Sequence, residues 1–376
     1  MIKKNYTKLV ILMLIGILTV TGTITYLRND SKKQICVNYY NDWKKNYVRK
    51  IDHETMEYIN SQPFSKNPVS ISEGQGYGML ICVLEGKNSK GLQQQFEKLN
   101  NYYLNHRMGS TALMSWKQTI YKNKIKDEKN NATDGDIYIA YALIQAAKAW
   151  PDSKDKYLGE AKAILNDIFK YNYNDELKIL TVGNWAGKDS KYYNMIRTSD
   201  VMPVQFDAFY HITHDKRWLE VKASMLDYLK QLSDQHKSGL VPDFAWVTED
   251  SAKPVGPNTV ASKYDGEYYY NACRVPYNLA LSQDVKSKKI LSKIMNFFLN
   301  KNKIYGGYYL NGKVIDHHQS KIFGAPLLYA SINNKEKYDK IFQQEKLLIM
   351  KPLSKDNYYE AALITLVAVQ VNSLLN

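Results

Sequence analysis

One carboxylate stands among glycines in the segment Ser72-Glu73-Gly74-Gln75-Gly76-Tyr77-Gly78-Met79. Apolar residues from Tyr77 to Leu84 recur at helical spacing, so the segment predicts the beginning of a helix. A carboxylate at a helix N-terminus is favoured by the backbone dipoles there, which gives Glu73 a purely structural interpretation. Glycines in the first turns, however, each cost about 1 kcal/mol relative to alanine. This cost indicates another use for the segment, and Glu73 is a candidate catalytic acid.

Two further carboxylates, Asp134 and Asp136, open a second predicted helix that covers Ile137–Trp150. Thr133 or Asp134 is suited to cap this helix, and the macrodipole favours both acids. Acids this close together also tend to raise one another's pKa, which is a property of active sites. The residues alone leave the structural and the catalytic interpretation equally open.

The segments that position these acids are mainly helical, because apolar residues recur at helical spacing through residues 34–376. No strands alternate with the helices, which argues against Rossmann and TIM-barrel folds. A tyrosine-rich run leading into Asn311-Gly312 predicts a small hairpin over Lys303–Val314. The clearest helical stretches are Tyr77–Leu84, Ile137–Trp150, Tyr157–Phe169, Pro203–His211, Trp218–Leu232, Tyr277–Leu281, Ile290–Phe298 and Tyr358–Leu375.

About a dozen helices in a single domain match a closed double ring of helices, with loops from many helices forming a cleft at one end. The chain has 31 tyrosines, which suit a cleft that stacks sugar rings, because an aromatic face offers apolar area and the hydroxyl a hydrogen bond. For any single tyrosine, ordinary packing remains the favoured interpretation.

The N-terminus has the pattern of a membrane signal. Lys3, Lys4 and Lys8 precede an uncharged apolar run of 19 residues from Leu9 to Leu27, and Arg28 closes it. This length is sufficient to cross the hydrocarbon layer and exceeds a usual signal-peptide core. An uncleaved signal-anchor helix is therefore favoured over a cleaved signal, whose product would be secreted.

We accordingly divide the chain into residues 1–33, a cytoplasmic stub with the anchor helix, and residues 34–376, one domain. The positive-inside rule places that domain outside the cell, so the protein is expected at the cell membrane as a single-pass protein. Cys36 follows the anchor, and whether it forms a disulfide is open. A monomer is expected.

The composition limits the kinds of molecule that the protein is expected to bind. The formal net charge is +14, but the basic residues are scattered rather than gathered in one stripe, which argues against nucleic acid. The three cysteines and seven histidines have no metal-ligand spacing, and neither a phosphate-binding Gly-Lys-Ser/Thr loop nor a serine nucleophile elbow is present. We expect no metal and no cofactor.

The two acidic segments, in this order, resemble glycoside hydrolase family 8. The stretch Ala132–Ala146 with Trp150 looks like the signature of that family, and the segment around Glu73 is similar to its general-acid segment. The resemblance extends over about residues 35–376. It continues in Leu113-Met114-Ser115-Trp116-Lys117, Gly239-Leu240-Val241-Pro242-Asp243-Phe244 and Tyr270-Asn271-Ala272-Cys273-Arg274-Val275-Pro276-Tyr277.

The resemblance implies an all-α fold, an (α/α)6 barrel, with an open cleft for a β-linked polysaccharide that is hydrolysed with inversion. It makes Glu73 the general acid and Asp134 the signature carboxylate at the subsite of the sugar to be cleaved. It also implies cleft residues that hold sugar or orient carboxylates. These expected substrate-binding residues are Trp116, Asn271, Arg274, Tyr77 and Trp185.

An inverting enzyme also needs a second carboxylate, the base that activates water, about 6.5 to 9.5 Å from the acid. Many members of the family carry this base where Asn271 stands, and some with Asn there draw it from the preceding loop, where this chain has Ala261. Asp265 is our first candidate, because Gly266 gives its loop freedom; a turn residue is the equally supported alternative. Glu267, Asp200 and Asp243 are further candidates, and Asp134 itself is another.

The sequence therefore predicts a membrane-anchored endo-glycosidase acting on a β-1,4-type polysaccharide, either a glucan or the exopolysaccharide of its own cell. Asn271 and Ala261 support a different hypothesis, a catalytically weak polysaccharide-binding protein of the same fold. The anchor and the helices alone support a third, a scaffold that partners a polysaccharide synthase in the membrane.

Overall fold

A computed structural model describes residues 39–51, 54–86, 89–122 and 124–374 of the 376-residue chain. Helices dominate these ranges, in agreement with the helical periodicity of the sequence. Twelve α-helices are present in the described ranges: α1 (39–47), α2 (Ser72–Glu85), α3 (Lys90–Asn105), α4 (Thr133–Ala149), α5 (Lys154–Tyr171), α6 (Pro203–Thr213), α7 (Arg217–Asp234), α8 (Val275–Ala280), α9 (Val285–Leu299), α10 (Lys321–Ile332), α11 (Lys335–Ile349) and α12 (Tyr358–Leu374).

The even-numbered helices form a closed inner ring. Each packs against the next even-numbered helix, and α12 packs back against α2, while α3, α5, α7, α9 and α11 pack against the outside of the helix that precedes them. Burial follows this order, because 14 of the 17 residues of α4 are buried but only 6 of the 18 residues of α5. The double ring confirms the predicted (α/α)6 barrel.

Helix α1 joins the barrel near the end of the chain. The hydroxyl of Tyr39 donates to the backbone oxygen of Lys351 at 2.8 Å, and that of Tyr47 donates to the backbone oxygen of Ser354 at 2.6 Å. Both acceptors lie between α11 and α12. None of the helices in the described ranges is long and apolar enough to cross a membrane. The predicted anchor, Leu9–Leu27, lies outside the described residues.

Short antiparallel sheets add to the helices, so the all-α prediction was incomplete. The strands occupy connections of the barrel, where two to five extended residues pair without the long alternating pattern that reveals a strand in a sequence. They are β1 (Val48–Ile51) with β2 (Met56–Ile59); β3 (Val69–Ile71), β4 (Lys117–Tyr121) and β5 (Lys124–Asp127); β6 (Tyr173–Asn174) with β7 (Ile179–Leu180); and β8 (Met195–Arg197), β9 (Phe244–Val247) and β10 (Ala252–Pro254).

The predicted hairpin at Asn311-Gly312 is present as a tight turn. Tyr309 donates its backbone N–H to the oxygen of Lys313 at 2.9 Å, and Gly312 adopts a φ of +88°, which only glycine tolerates readily. The flanking residues pair through isolated bridges, such as Tyr308 with Val314, rather than through continuous strands.

The clearest helical stretches of the sequence do not include α1, α3, α10 and α11. Helix α10 is buried on nearly all sides and contains Pro326, so it lacks the one-sided apolar pattern that identifies a helix. Helix α11 is interrupted at Tyr338, whose φ of −108° and ψ of 20° mark a kink. Each of these features weakens helical periodicity in a sequence without preventing the helix from forming in the folded protein.

The glycines near Glu73 allow two inner helices to touch. A Cβ on Gly76 would lie 2.6 Å from the Cβ of Tyr138, and one on Gly135 would lie 2.2 Å from the hydroxyl oxygen of Ser72. The N-terminal turns of α2 and α4 therefore approach at backbone distance, which brings Glu73 and Asp134 together. The low helix propensity of these glycines indicated that they serve another purpose, and close contact between the two helices is that purpose.

We predict that Gly76→Ala destabilises the protein by about 1 to 2 kcal/mol, because overpacking the α2–α4 contact outweighs the gain in helix propensity. Thermal unfolding should show a lower melting temperature. Gly159→Ala is the matched control: a Cβ on Gly159, inside α5, would meet nothing within 4 Å, so this change should be neutral or stabilising. Equal stability of the two variants would contradict a close helix contact at Gly76.

Candidate active site

The N-terminal ends of the inner helices meet at one end of the barrel. Glu73 is the second residue of α2 and Asp134 the second residue of α4. Short 3-10 turns, Thr198–Asp200 and Ala272–Arg274, lead into α6 and α8. The polar side chains of these segments thus converge although they lie as far as 201 positions apart in sequence.

Arg274 links the converging segments. Its Nη1 donates to Glu73 Oε2 at 2.7 Å, to Asp134 Oδ2 at 3.2 Å and to the hydroxyl of Tyr77 at 3.4 Å. Its Nη2 donates to Ser199 Oγ at 2.8 Å and to Asn271 Oδ1 at 3.1 Å. The side chain of Arg274 is only 1% exposed, so its charge is compensated almost entirely by these partners rather than by water.

A second arginine, Arg197, holds the other side of Asp134. Its Nη2 lies 2.7 Å from Asp134 Oδ1, and its Nε and Nη2 donate to Asp200 Oδ1 and Oδ2 at 2.8 and 3.1 Å. Asp134 is therefore bound by two guanidinium groups, whereas Asp200 is bound by Arg197 through both of its oxygens. This fork-to-fork geometry fixes the orientation of both side chains.

The two carboxyl groups at Arg274 differ in their protonation. Burial raises the pKa of Glu73 to about 7; Arg274 opposes this change and the negative charge of Asp134 adds to it. Burial would also raise the pKa of Asp134, but Arg197 and Arg274 outweigh it and hold that pKa below its ordinary value. At neutral pH Asp134 is ionised, and a large fraction of Glu73 retains its proton.

Glu73 is the member of this group that faces the cleft. Its side chain is 16% exposed, compared with 2% for Asp134 and 1% for Arg274. Its other oxygen, Oε1, accepts a long hydrogen bond of 3.4 Å from the hydroxyl of Tyr358, the first residue of α12. A partly accessible carboxylic acid with a raised pKa can donate a proton to a bound molecule, so the geometry suits general-acid chemistry.

Two exposed tryptophans lie on loops that are hydrogen-bonded near the starts of α2 and α4. Trp116 is 39% exposed, and its backbone oxygen accepts from the N–H of Ser72, the residue before Glu73, at 3.0 Å. Trp185 is 37% exposed, and its ring stands edge-on to Tyr192 at 5.2 Å. The structure thus places both predicted cleft tryptophans at the surface, and the ammonium group of Lys117 lies over the Trp116 ring at 5.5 Å from its centroid.

A network of buried amides connects these tryptophans to α4. Asn131 and Asn184, the neighbour of Trp185, exchange backbone-to-side-chain hydrogen bonds of 3.1 and 2.8 Å. Asp136 accepts from the Asn131 side chain at 2.7 Å and from the backbone N–H of Met114 at 2.8 Å. Asp136 therefore supports the loop that carries Trp116, and burial raises its pKa to about 8.

Tyr77, predicted to bind substrate, is fully buried, so it reaches the site only through Arg274 and is not positioned to touch a ligand. Asn271 has an intermediate exposure and joins Arg274 to Asp243: its Nδ2 donates to Asp243 Oδ2 at 3.1 Å. Asp243 also accepts from the backbone N–H groups of Tyr269, Asn271 and Ala272. These bonds fix the entry into α8.

Asp265, our first candidate for the base, stabilises a loop instead. Its side chain accepts hydrogen bonds from the backbone N–H groups of Val260, Ala261 and Ser262 at 2.6 to 3.0 Å. The residue is 1% exposed, so the carboxylate is occupied and shielded from the cleft. Asp265 is therefore a turn residue, which was the alternative interpretation. We do not retain Asp265 as the candidate base.

Sequence reasoning missed Arg197, Ser199 and Tyr358, which lie immediately before or at the start of inner helices. One signal was available: Arg197 and Asp200 are three residues apart, directly before the helix that Pro203 starts. Among the described residues, no group of three or more His, Cys, Asp or Glu side chains is placed to hold a metal ion.

Comparison with known proteins identifies the family of the chain. The family model of Glycosyl hydrolases family 8 matches residues 2–372. A beta-glucanase of Niallia circulans is 31% identical over 76% of this chain and 72% of its own length, and an endoglucanase of Bacillus sp. (strain KSM-330) is 30% identical over 82% and 70%. The apo structure of a beta-1,3-1,4-glucanase from Paenibacillus sp. X4 superimposes with a TM-score of 0.83 at 28% identity, over 92% of both chains.

We predict that Asp134→Asn lowers the pKa of Glu73 by roughly one pH unit, because it removes a nearby negative charge and leaves the two arginines less neutralised. Carbon-13 NMR titration of labelled glutamate carboxyl groups would measure this change. Asp136→Asn is the control, since a carboxyl group with a pKa of about 8 is mostly uncharged at neutral pH. An unchanged pKa of Glu73 in Asp134→Asn would show that Asp134 does not contribute to it.

Proposed function

The chain belongs to family 8 of the glycosyl hydrolases, and from that premise we propose that it cleaves internal bonds of a β-linked glucan outside the cell. It is a glycosyl hydrolase of an inverting family. The relatives named beta-glucanase and endoglucanase support a β-glucan as substrate and internal cleavage as the mode of action.

The observation that carries the proposal is the pair Glu73 and Asp134 on one guanidinium group. Glu73 keeps its proton up to about pH 7, whereas an ordinary glutamic acid loses it near pH 4.3. It is therefore the group that protonates the leaving oxygen of the sugar. Asp134, held ionised, adds to the rise in pKa that burial gives Glu73 and contributes negative charge next to the sugar ring where positive charge develops.

Asp134 is badly placed to be the base as well. Its Oδ2 and Glu73 Oε2 bond to the same nitrogen at 3.2 and 2.7 Å, so these oxygens are at most about 6 Å apart. Inversion requires about 6.5 to 9.5 Å, which leaves room for a water molecule. Asn271 lies on the other nitrogen of Arg274, where its amide can orient water. The base itself is then a carboxylate other than the two bound by Arg274.

The exposed tryptophans support a polymeric substrate. Trp116 is joined by its backbone to Ser72, and Trp185 lies next to Asn184, which is bonded to the loop before α4. Sugar rings stacked on these side chains would lie next to the loops that precede Glu73 and Asp134. Such a cleft, with aromatic platforms beside the acid, suits cleavage within a chain.

The sequence supports a position on the cell that produces the enzyme. The run from Leu9 to Leu27 has spanning length, and Lys3, Lys4 and Lys8 precede it on the side that the positive-inside rule assigns to the cytoplasm. An enzyme anchored in this way reaches polysaccharide at its own surface. We therefore include an exopolysaccharide of the same cell among the substrates to be tested.

We predict that the full chain, purified in detergent, releases reducing ends from β-1,3-1,4-glucan and that Glu73→Gln lowers kcat by about 10²- to 10⁴-fold, since an amide cannot donate the proton. The wild-type kcat should fall as the pH rises through about 7, where Glu73 loses its proton. Proton NMR of the first products should show inverted configuration.

Glu85→Gln, the same change at the opposite end of α2, is the matched control and should leave kcat unchanged. Binding of glucans and of the host exopolysaccharide without turnover, unaffected by Glu73→Gln, would instead support the weak polysaccharide-binding protein that Asn271 suggests. Activity that survives Glu73→Gln would reject Glu73 as the acid.

We predict that the full chain sediments with membranes and resists extraction by alkaline carbonate, because the apolar run spans the bilayer. A chain that lacks residues 2–33 should remain in the supernatant. External protease should digest residues beyond 34 in intact cells. Release of the full chain by carbonate, or a processed N-terminus after residue 27 in the secreted fraction, would favour the cleaved-signal alternative.

A further inference from the structure

Four partly exposed tyrosines form a continuous row that begins beside Asn271. The ring of Tyr270 lies 4.6 Å from that of Tyr269, Tyr269 lies 4.8 Å from Tyr264, and Tyr264 lies 6.4 Å from Tyr309. We propose that this row and the pocket at its far end bind further sugar rings of a β-linked polysaccharide. The proposal rests on the proposed function and adds a binding surface beyond the residues around Arg274.

The pocket lies where the loop before α8 meets the turn at Asn311. Its volume is about 290 Å³, near the lower limit of small-molecule sites. Side chains of His236, Lys263, Glu267, Tyr309 and Asn311 line it. Hydrogen-bond donors and acceptors recognise the hydroxyl groups of a sugar, and an aromatic ring recognises its apolar face. The pocket offers both kinds of group.

The surface is rigid before any ligand arrives. Asp265 binds three backbone N–H groups of its own loop, and Glu267 Oε2 accepts from the backbone N–H of Leu310 at 2.7 Å, which joins the loop to the turn. Tyr268 and Tyr308 exchange backbone hydrogen bonds of 3.1 and 2.9 Å directly below the row. Because these groups are already ordered, binding costs little conformational entropy.

Exposure distinguishes the row from ordinary core packing. Tyr309 is 39% exposed, and Tyr264, Tyr269 and Tyr270 have intermediate exposure, whereas Tyr268 and Tyr308 beneath them are fully buried. The buried pair explains the stability of this region, but the four outer rings leave apolar area in contact with water. The rings stand at 52° to 83° to one another, so each would contact a sugar separately, and sugars packed against them would cover that area.

The test is Tyr309→Ala in the full chain, assayed on polymeric β-1,3-1,4-glucan and on a tetrasaccharide, which offers fewer sugar rings to the row and the pocket. The ratio of the polymer KM to the tetrasaccharide KM should rise roughly three- to tenfold. Tyr309→Phe, which keeps the ring, should restore most of the polymer affinity, and an unchanged melting temperature would exclude misfolding.

Tyr210→Ala is the matched control, because Tyr210 is a partly exposed tyrosine near the C-terminal end of α6, away from the cleft. An unchanged KM ratio in Tyr309→Ala, or an equal rise in Tyr210→Ala, would overturn the proposal. Binding can also be measured without turnover, from the retardation of the Glu73→Gln variant during electrophoresis in gels that contain glucan. The double variant Glu73→Gln/Tyr309→Ala should be retarded less. Failure of the proposed function would show separately, as an absence of hydrolysis in the wild type.

Discussion

The buried guanidinium group of Arg274 is the interaction on which the site depends. It joins α2, α4, the turn before α6 and Asn271 through five hydrogen bonds, while almost none of its surface reaches water. Burying such a charge costs folding free energy unless its partners are present. Burying the carboxylate partners without the guanidinium group is also unfavourable. The helix ends and the acids are therefore held in place by the same group.

That arrangement gives two similar carboxyl groups different chemistry. Both begin an inner helix and both contact Arg274, yet only Asp134 also contacts Arg197. The additional positive charge keeps Asp134 ionised, and the resulting negative charge helps to keep the proton on Glu73. The difference in protonation arises from the surroundings, since the two groups have nearly equal pKa values in water.

The contacts between helices connect this chemistry to the proposed binding surfaces. Gly76 and Gly135 bring α2 and α4 to backbone distance, and the loops that carry Trp116 and Trp185 are hydrogen-bonded to the same ends of these helices. On the other side, the loop that enters α8 carries three tyrosines of the row, followed by Asn271. Aromatic platforms and acids are thus parts of one framework, so a shift of one inner helix would alter both.

The sequence by itself determined the helical character, the barrel, the position of the carboxylates Glu73 and Asp134 at helix starts, and the turn at Asn311-Gly312, because each leaves a local pattern of spacing, glycines or motif. It did not reveal α10, which is apolar on all sides, or the short strands. The tertiary structure alone decided that Arg197 joins the site, that Tyr77 supports Arg274 from the core and that Asp265 closes a loop. These roles depend on contacts between residues distant in sequence, or on which hydrogen-bond partners a side chain finds in the folded protein. No local sequence pattern encodes either of them.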